Sequence, residues 1–299
     1  MQAIAERLQP IRHALGARTL VMGVLNTTPD SFYYGGRYTS LDTALARAEQ
    51  MLAEGADILD IGGESTRPGA EPVPEDEELR RTVPVIEAIA TRYPQATISI
   101  DTTKSRVAEL ALQAGACIVN DISGMTFDPR MAEVTAQAGA LVVLMHIQGT
   151  PRTMQLSPHY ADVVAEVRDA LRAHAQRAEQ AGISRENIWL DPGIGFGKTV
   201  QHNLQLLRHL PTLKSLGYPI LIGTSRKSFI GHLLGGLPPE ERLEGTLATL
   251  ALAVAWGADI VRVHDVQAAV RTVRIADALV REETLTTVHT AQVRKNESN

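Results

Sequence analysis

The 299-residue sequence contains one cysteine, Cys117, and aromatic residues make up only 4% of it. A single cysteine excludes an intrachain disulfide and fits a reducing compartment. The sequence also has no Cys-x-x-Cys pair, no His-Glu-x-x-His motif and no Gly-x-Ser-x-Gly elbow. We therefore expect neither a zinc site nor a serine nucleophile of the hydrolase type.

Long apolar runs and an excess of positive charge are missing too. The first 20 residues lack the apolar stretch of a signal peptide, and no later run is long enough to span a bilayer. Acidic residues outnumber basic ones, 34 to 29, which gives a net charge of -5. This balance argues against a nucleic-acid partner and against a polybasic membrane patch. We expect a soluble, cytoplasmic protein.

Eight short apolar segments alternate with segments of helical spacing. The predicted strands cover residues 19–26, 58–63, 96–101, 117–122, 140–146, 188–191, 220–224 and 260–264. The predicted helices cover residues 41–54, 74–92, 104–113, 129–138, 160–180, 202–216, 243–256 with a segment from 228 onward, and 266–281. This alternation predicts right-handed crossovers and a parallel sheet. Eight such pairs in roughly 250 residues match an α/β fold of the (β/α)8 TIM-barrel type.

A Gly-Ala pair ends four of the predicted helices and leads into the next strand, at residues 55–56, 115–116, 139–140 and 257–258. Glycine suits the left-handed conformation that commonly ends a helix. These junctions indicate an α/β protein and leave a doubly wound sheet as the alternative to a closed barrel. We predict an N-terminal lead-in over 1–17, a single eight-stranded parallel barrel over 18–282 and a polar C-terminal tail over 283–299.

Polar residues follow the carboxyl ends of the predicted strands, the edge at which parallel sheets bind ligands. One group combines two carboxylates, an amide and a lysine: Asp101, Asn120, Asp191 and Lys227. These groups suit a planar heterocycle with adjacent N–H donors, such as a pterin or a guanine-like ring. A self-contained network of hydrogen bonds and salt bridges is the alternative for any one of them. Taken together, the four favour a ligand pocket.

A second group combines two guanidinium groups, an imidazole and an amide: Asn26, Arg67, Arg262 and His264. It indicates an anion site, most simply for a phosphate or pyrophosphate with a divalent cation. Arg262 and His264 alternate along one predicted strand, so we expect both to point to the same face.

The segment 191–199, DPGIGFGKT, nearly matches a phosphate-binding P-loop. Pro192 stands at the position of its first glycine, so we do not interpret the segment as an ATPase motif. Its three alternating glycines instead suggest a flexible lip around Phe196 that can approach a ligand.

Eight segments resemble motifs of the bacterial dihydropteroate synthases. They are MGVLNTTPDSF (22–32), DIGGESTRPGA (60–70), SIDT (99–102), VNDIS (119–123), LMHIQGTPRTMQ (144–155), LDPGIGFGKT (190–199), GTSRKSFIG (223–231) and RVHDV (262–266). They occur in the order of that family and at nearly every predicted strand end. The resemblance implies a TIM barrel that condenses 6-hydroxymethyl-7,8-dihydropterin diphosphate with p-aminobenzoate. The products would be 7,8-dihydropteroate and pyrophosphate, in folate biosynthesis.

The resemblance also implies roles for residues of this sequence. The pterin-binding residues would be Asp101, Asn120, Met145, Asp191 and Lys227. The diphosphate would be held by Asn26, Arg67, Arg262 and His264, with Asn26 binding the cofactor Mg2+. The p-aminobenzoate site would comprise Phe32, Thr66, Arg67, Pro68, Phe196, Lys227 and Ser228. The catalytic residues would be Asp101, Lys227, Arg262 and His264.

Further implications of the resemblance are a homodimer formed through late helices and sulfonamides that compete for the p-aminobenzoate site. The reaction would proceed by SN1-like loss of pyrophosphate, which needs no protein nucleophile. The first loop of the family usually reads PDSFSDGG, whereas residues 29–36 read PDSFYYGG, so Tyr34 replaces an aspartate. An inactive pterin-binding paralogue is therefore one alternative. A corrinoid-dependent pterin methyltransferase is the other, although it would not need the anion group at 225–228 and 262–264.

Overall fold

One sheet of eight parallel strands forms the centre of the molecule, in a computed structural model that describes residues 2–28 and 40–281. The strands are β1 (Leu20–Asn26), β2 (Ile58–Gly62), β3 (Thr97–Asp101), β4 (Ile118–Asp121), β5 (Leu141–Met145), β6 (Ile188–Asp191), β7 (Leu221–Ile222) and β8 (Ile260–Val263). Their order is β6-β5-β4-β3-β2-β1-β8-β7, and a parallel bridge from Leu190 to Ile220 joins the two outer strands. The sheet therefore curls back on itself. The predicted (β/α)8 barrel is confirmed, and the doubly wound alternative is wrong.

Helices alternate with these strands along the chain. After α1 (Gln2–Ala14), they are α2 (Ser40–Glu54), α3 (Glu75–Arg92), α4 (Ser105–Ala114), α5 (Met131–Ala138), α6 (Val163–Gln180), α7 (Val200–Arg208), α8 (Leu210–Lys214), α9 (Ser228–Leu233), α10 (Leu243–Ala255) and α11 (Val266–Val280). The helix predicted over 202–216 is in fact two, because Pro211 lacks the N–H that a continuous helix needs at that point. All four Gly-Ala junctions have the expected positive φ, from 69° at Gly139 to 123° at Gly115. No helix of the described chain is long and apolar enough to cross a membrane.

The N-terminal lead-in is the helix α1, and it lies against the amino ends of the strands. The side chain of Arg7 donates to the carbonyl of Gly115 (2.9 Å), just before β4, and its own carbonyl accepts from Thr97 (3.0 Å) at the start of β3. Arg12 donates to Asn187 (2.6 Å), next to β6. Because α1 occupies this end, the carboxyl ends of the strands form the open mouth of the barrel. The predicted tail, 283–299, lies outside the described residues.

The strands are buried almost throughout, as expected for a parallel sheet covered by helices. Only a few side chains of the strands are polar or charged. Asp60, Ser99, Asp101, Asn120 and Asp191 are all less than 9% exposed, although each is polar or charged. Such groups are stable in a core only when they find partners, and those partners define the site.

Candidate active site

A largely buried arginine links three strands of the barrel. The Nε group of Arg262, on β8, donates to Oδ2 of Asp60 on β2 (2.6 Å), and its Nη2 group donates to Oδ2 of Asp101 on β3 (2.7 Å). Asn120 on β4 donates to the same oxygen of Asp60 (3.1 Å). A guanidinium group has five N–H donors, so these two carboxylates occupy two of the five. The network fixes the orientation of Asp101 and Asn120.

The structure brings together the four residues that were grouped as a heterocycle site. Asp101 and Asn120 are register partners at the ends of β3 and β4. Asp191 ends β6, and one of its oxygens accepts from the backbone N–H of Gly193 (2.7 Å). Lys227, which follows β7, interacts electrostatically with both Asp101 and Asp191. The acceptors and the ammonium group therefore line one mouth, as predicted from the strand ends.

Burial shifts the proton affinities of this group toward the neutral forms. It raises the pKa of Asp191 to about 6, although the hydrogen bond from Gly193 and the charge of Lys227 act in the opposite direction. It also raises the pKa of Asp101, while Arg262 pulls that pKa down. The pKa of Lys227 falls to about 8, because burial and the nearby Arg262 disfavour its charge. Burial thus favours the neutral form of both carboxylates more than in a free aspartate.

One wall of the mouth is apolar. Ile122, Met145, Met154 and Phe196 form a small cluster of buried side chains that is separate from the main core. The Nζ atom of Lys227 lies 4.0 Å from the centroid of the Phe196 ring, a cation–π contact. A flat ligand at the polar strand ends would therefore have an apolar surface beside it. Met145, predicted as a pterin contact, is part of this wall.

The glycine-rich segment after β6 is packed tightly against the segment after β5. Gly193, Gly195 and Gly197 all have positive φ. A Cβ atom at Gly193 would lie 2.0 Å from the carbonyl oxygen of His146, and one at Gly197 would lie 2.6 Å from that of Gln148. The glycines are needed for close backbone approach and for left-handed geometry, and the prediction of a flexible lip stays a prediction.

The histidine of the predicted anion group is neutral. Burial, together with the neighbouring positive charges, lowers the pKa of His264 to about 3. Oγ of Ser225 lies 2.9 Å from its Nδ1 and accepts from its backbone N–H (3.2 Å). The serine hydroxyl can therefore donate to Nδ1, which leaves the proton on Nε2 as a donor. Any role of His264 toward an anion is that of a hydrogen-bond donor, not of a cation.

Other predicted site residues are less enclosed. Asn26 ends β1 and is half-buried, and its side chain makes no hydrogen bond within the described part of the chain. Arg67, Pro68 and Ser228 are exposed, and Thr66 is half-buried. The loop that carries Arg67 touches the segment after β5 through a backbone bond from Gly69 N–H to Pro151 O (3.0 Å) and an exposed ion pair of Glu71 with Arg152 (3.6 Å). Arg67 is thus not joined to Arg262 and His264 here. Phe32 and Tyr34 lie outside the described residues.

Sequence reasoning missed Asp60 and gave Arg226 no role separate from the anion group at 225–228. Asp60 lies inside an apolar strand, and a lone carboxylate in such a run was the available indication of a buried charge pair. Arg226 has a left-handed φ of 57° and pairs with Asp265 through two bonds (2.9 and 2.6 Å). This strained turn lies between Ser225 and Lys227 and is held by Asp265, which follows β8. Backbone strain of this kind concentrates at functional sites.

Comparisons with known proteins agree with this geometry. The family model described as "Pterin binding enzyme" matches residues 22–264. A dihydropteroate synthase of Synechocystis sp. is 54% identical over 266 residues, which cover 89% of this chain and 92% of that protein. A structure of dihydropteroate synthase from Clostridium difficile, solved in the presence of pteroic acid, superposes with a TM-score of 0.84 at 47% identity and covers 89% and 98% of the two chains. A Xanthomonas albilineans dihydropteroate synthase with 4-aminobenzoic acid gives 0.83 at 46% identity, with 88% and 93% covered.

The Asp60–Arg262 pair gives a first prediction. Asp60→Asn removes the buried negative charge but keeps the shape, and we expect it to lower the free energy of unfolding by about 3–5 kcal/mol, because it leaves a buried guanidinium short of a partner. Asp57→Asn is the matched control, since Asp57 pairs with the half-exposed Arg18 near the amino end of β2. There we expect a loss of about 1 kcal/mol or less. Urea unfolding measures the free energy of unfolding of both variants. Equal losses in Asp60→Asn and Asp57→Asn would contradict the role of Asp60.

Proposed function

The chain belongs to the pterin-binding enzyme family, and we propose that it is a dihydropteroate synthase. This transferase condenses 6-hydroxymethyl-7,8-dihydropterin diphosphate with p-aminobenzoate to give 7,8-dihydropteroate and pyrophosphate. The convergence of Asp101, Asn120, Asp191 and Lys227 beside an apolar wall carries the proposal. A flat ring rich in N–H donors satisfies those acceptors, and its face covers the wall. A corrinoid methyltransferase has no matching use for the donors around Arg262 and His264.

The pterin ring is assigned to the strand ends of β3, β4 and β6. The carboxylates of Asp101 and Asp191 each have an oxygen beyond those used by Arg262 and Gly193, and each can accept a ring N–H. Asn120 adds an amide that can both donate and accept. Desolvation strengthens such bonds and holds the ring in one orientation. Met145 contacts its face.

We assign p-aminobenzoate to the space beside Phe196 and Lys227, with Ser228 and the loop of Thr66, Arg67 and Pro68 at its edge. Phe196 offers a flat apolar surface, and Lys227 offers a charge for the carboxylate. Since Lys227 also interacts with Asp101 and Asp191, it would lie between the two substrates. Sulfonamides share the 4-aminophenyl group and would compete for this space. Phe32 is assigned to the same site on the resemblance alone.

The remaining donors of Arg262 and the Nε2–H group of His264 are assigned to the diphosphate. Its departure from the methylene of the pterin leaves a cation that the electron-rich ring can stabilise, so the substitution is SN1-like. The residues of the chain then orient the ring, stabilise the leaving charge and exclude water. The amine of p-aminobenzoate attacks the cation and loses a proton. No protein nucleophile is required.

We also propose Mg2+ as the cofactor, with Asn26 as its protein ligand. Within the described chain, no cluster of three or more His, Cys, Asp or Glu could hold a metal ion. Mg2+ commonly keeps several waters and binds through one or two protein oxygens together with substrate phosphates. A single amide oxygen at the end of β1 fits that pattern. When bound, the ion would neutralise charge on the leaving diphosphate.

A homodimer completes the proposal, and exposed apolar side chains on the late helices support it. Ile275 and Leu279 lie one turn apart on α11 and are 66% and 80% exposed, while Leu252 on α10 is 49% exposed. We expect light scattering of the purified protein to give twice the chain mass, and Leu279→Lys to give one chain mass. A wild-type monomer at micromolar concentration would contradict the dimer. The cytoplasmic location and the lack of nucleic-acid partners stay predictions of the sequence.

A coupled assay tests the proposed reaction. Purified protein mixed with the pterin diphosphate and labelled p-aminobenzoate should form dihydropteroate and release pyrophosphate, faster with Mg2+ than with a chelator, and a sulfonamide should raise the KM for p-aminobenzoate. The control is Tyr34→Asp, which restores the usual residue of the family. Pterin binding without turnover that returns in Tyr34→Asp would identify an inactive paralogue. The corrinoid methyltransferase alternative would gain support if neither protein released pyrophosphate.

The raised pKa of Asp191 predicts how pterin binding depends on pH. The probe is 6-hydroxymethylpterin, which has no phosphate that titrates in this range. Between pH 7.5 and pH 5 the carboxylate of Asp191, with its pKa of about 6, gains a proton, so it loses its negative charge and one of its oxygens becomes a donor. We expect the affinity for 6-hydroxymethylpterin to decrease as the pH is lowered, by up to about tenfold for each pH unit below the pKa of Asp191. Calorimetry of Asp191→Asn should give weaker binding and a flatter profile, and an unchanged slope would contradict this assignment.

A further inference from the structure

Lys198 lies in the packed segment after β6 and is only 3% exposed. Lysine is seldom buried to this extent unless a charge partner is present. Lys104 and Lys214 each have such a partner, in Glu78 and Asp259. Among the described residues, no carboxylate lies within ion-pair distance of Lys198, and the only carboxylate charge that acts on it from farther away is that of Asp191. The reaction proposed above does not use this residue, so its burial requires another explanation.

The Nζ group of Lys198 contacts three acceptors. They are the carbonyl of Phe196 (2.8 Å), the carbonyl of His146 (3.3 Å) and the Nδ1 atom of His146 (3.1 Å). Burial lowers the pKa of Lys198 to about 7. In its ammonium form the group has three N–H donors and no acceptor, so the number of donors equals the number of acceptors. Burial, with the charge of Lys198 next, lowers the pKa of His146. The neutral imidazole accepts at Nδ1 and carries its proton on Nε2.

These contacts tie the end of β5 to the Phe196 backbone. Other residues hold the neighbouring glycines: Gln155 donates to the carbonyl of Gly195 (2.8 Å), and Tyr160 donates to that of Gly197 (2.9 Å). The carbonyl between them, that of Phe196, is held by Lys198. On the other side of the same residue, the ring carries the Lys227 ammonium at 4.0 Å. A shift of this peptide would move the ring.

We propose that Lys198 is a positioning residue for p-aminobenzoate, whose three hydrogen bonds to His146 and Phe196 fix the Phe196 ring against Lys227. Of the proposed pterin contacts, Asp101 and Asn120 lie on other strands and do not depend on this peptide. Asp191, at the end of β6, interacts with the charge of Lys198 but is held separately by the N–H group of Gly193 (2.7 Å). Loss of Lys198 should therefore affect the second substrate far more than the first. This inference rests on the proposed function, which assigns the space beside Phe196 to p-aminobenzoate.

Steady-state kinetics of Lys198→Met test the proposal. Methionine keeps the length of the side chain but cannot donate, so we expect the KM for p-aminobenzoate to rise about tenfold and the KM for the pterin diphosphate to change less than about twofold. Lys214→Met is the matched control, because it removes a hydrogen-bonded lysine near the amino ends of the strands. It should lower Tm and leave both KM values unchanged. If both KM values of Lys198→Met rise together with a drop in Tm, the role is only structural and the proposal is overturned.

A double-mutant cycle with Phe196→Leu tests whether Lys198 acts through the ring. We expect the double variant to have the same KM for p-aminobenzoate as Phe196→Leu alone, since the ring that Lys198 positions is already gone. The proposal would be overturned if the KM for p-aminobenzoate of the double variant rose by the product of the two single increases. Should Lys198→Met fail to fold, Lys198→Gln keeps two donors, and an intermediate KM is then expected, while a wild-type KM would overturn it. An inactive wild-type protein would refute the proposed function instead, so the two failures are distinguishable.

Discussion

The pairing of Arg262 with Asp60 and Asp101 is the interaction on which the site depends. A guanidinium group in the middle of a barrel is stable only when carboxylates balance its charge and accept its N–H groups. Here the two carboxylates come from β2 and β3, and Asn120 of β4 joins them through Asp60. Four strands are thereby coupled at one point. This buried layer sets the orientation of the acceptors that face the mouth.

Above that layer, the mouth is divided into parts with different chemistry. Asp101, Asn120 and Asp191 supply acceptors, while Met145 and Phe196 supply an apolar surface. Lys227 lies at the boundary between the two. The charged and neutral forms of these groups are close in free energy, because burial shifts the carboxylates and Lys227 toward their neutral forms. A ligand that donates N–H groups to the carboxylates would favour their charged state again.

The sequence was sufficient to predict the convergence of the strand ends, because parallel strands in a barrel bring their carboxyl ends to one face regardless of separation along the chain. Asp101 and Lys227, which are 126 positions apart in the sequence, were grouped correctly for that reason. Periodicity did not disclose partners across the barrel, so Asp60 was overlooked. The neutral state of His264 depends on burial and on nearby cations, neither of which a motif reveals. The glycines at 193–197 were ambiguous, since flexibility and close packing both select glycine.

The position of Arg67 shows a further limit of motif reasoning. Residue type placed it with Arg262 and His264, yet it lies exposed on a loop after β2. Loops carry function at sites positioned by a rigid scaffold, and a loop can move to a ligand in ways that strand ends cannot. The strand-end residues were therefore more predictable than the loop residues. For Phe32 and Tyr34, outside the described chain, the resemblance remains the only guide.

The central claim is that one layer of buried polar residues orients a flat heterocycle at the mouth of the barrel. A crystal structure of this protein with 7,8-dihydropteroate tests it most directly. The account predicts the pterin ring within hydrogen-bond distance of Asp101, Asn120 and Asp191, with the benzoyl ring beside Phe196 and Lys227. A pterin ring bound away from those three side chains, or reversed so that it contacts Phe196 instead, would contradict it.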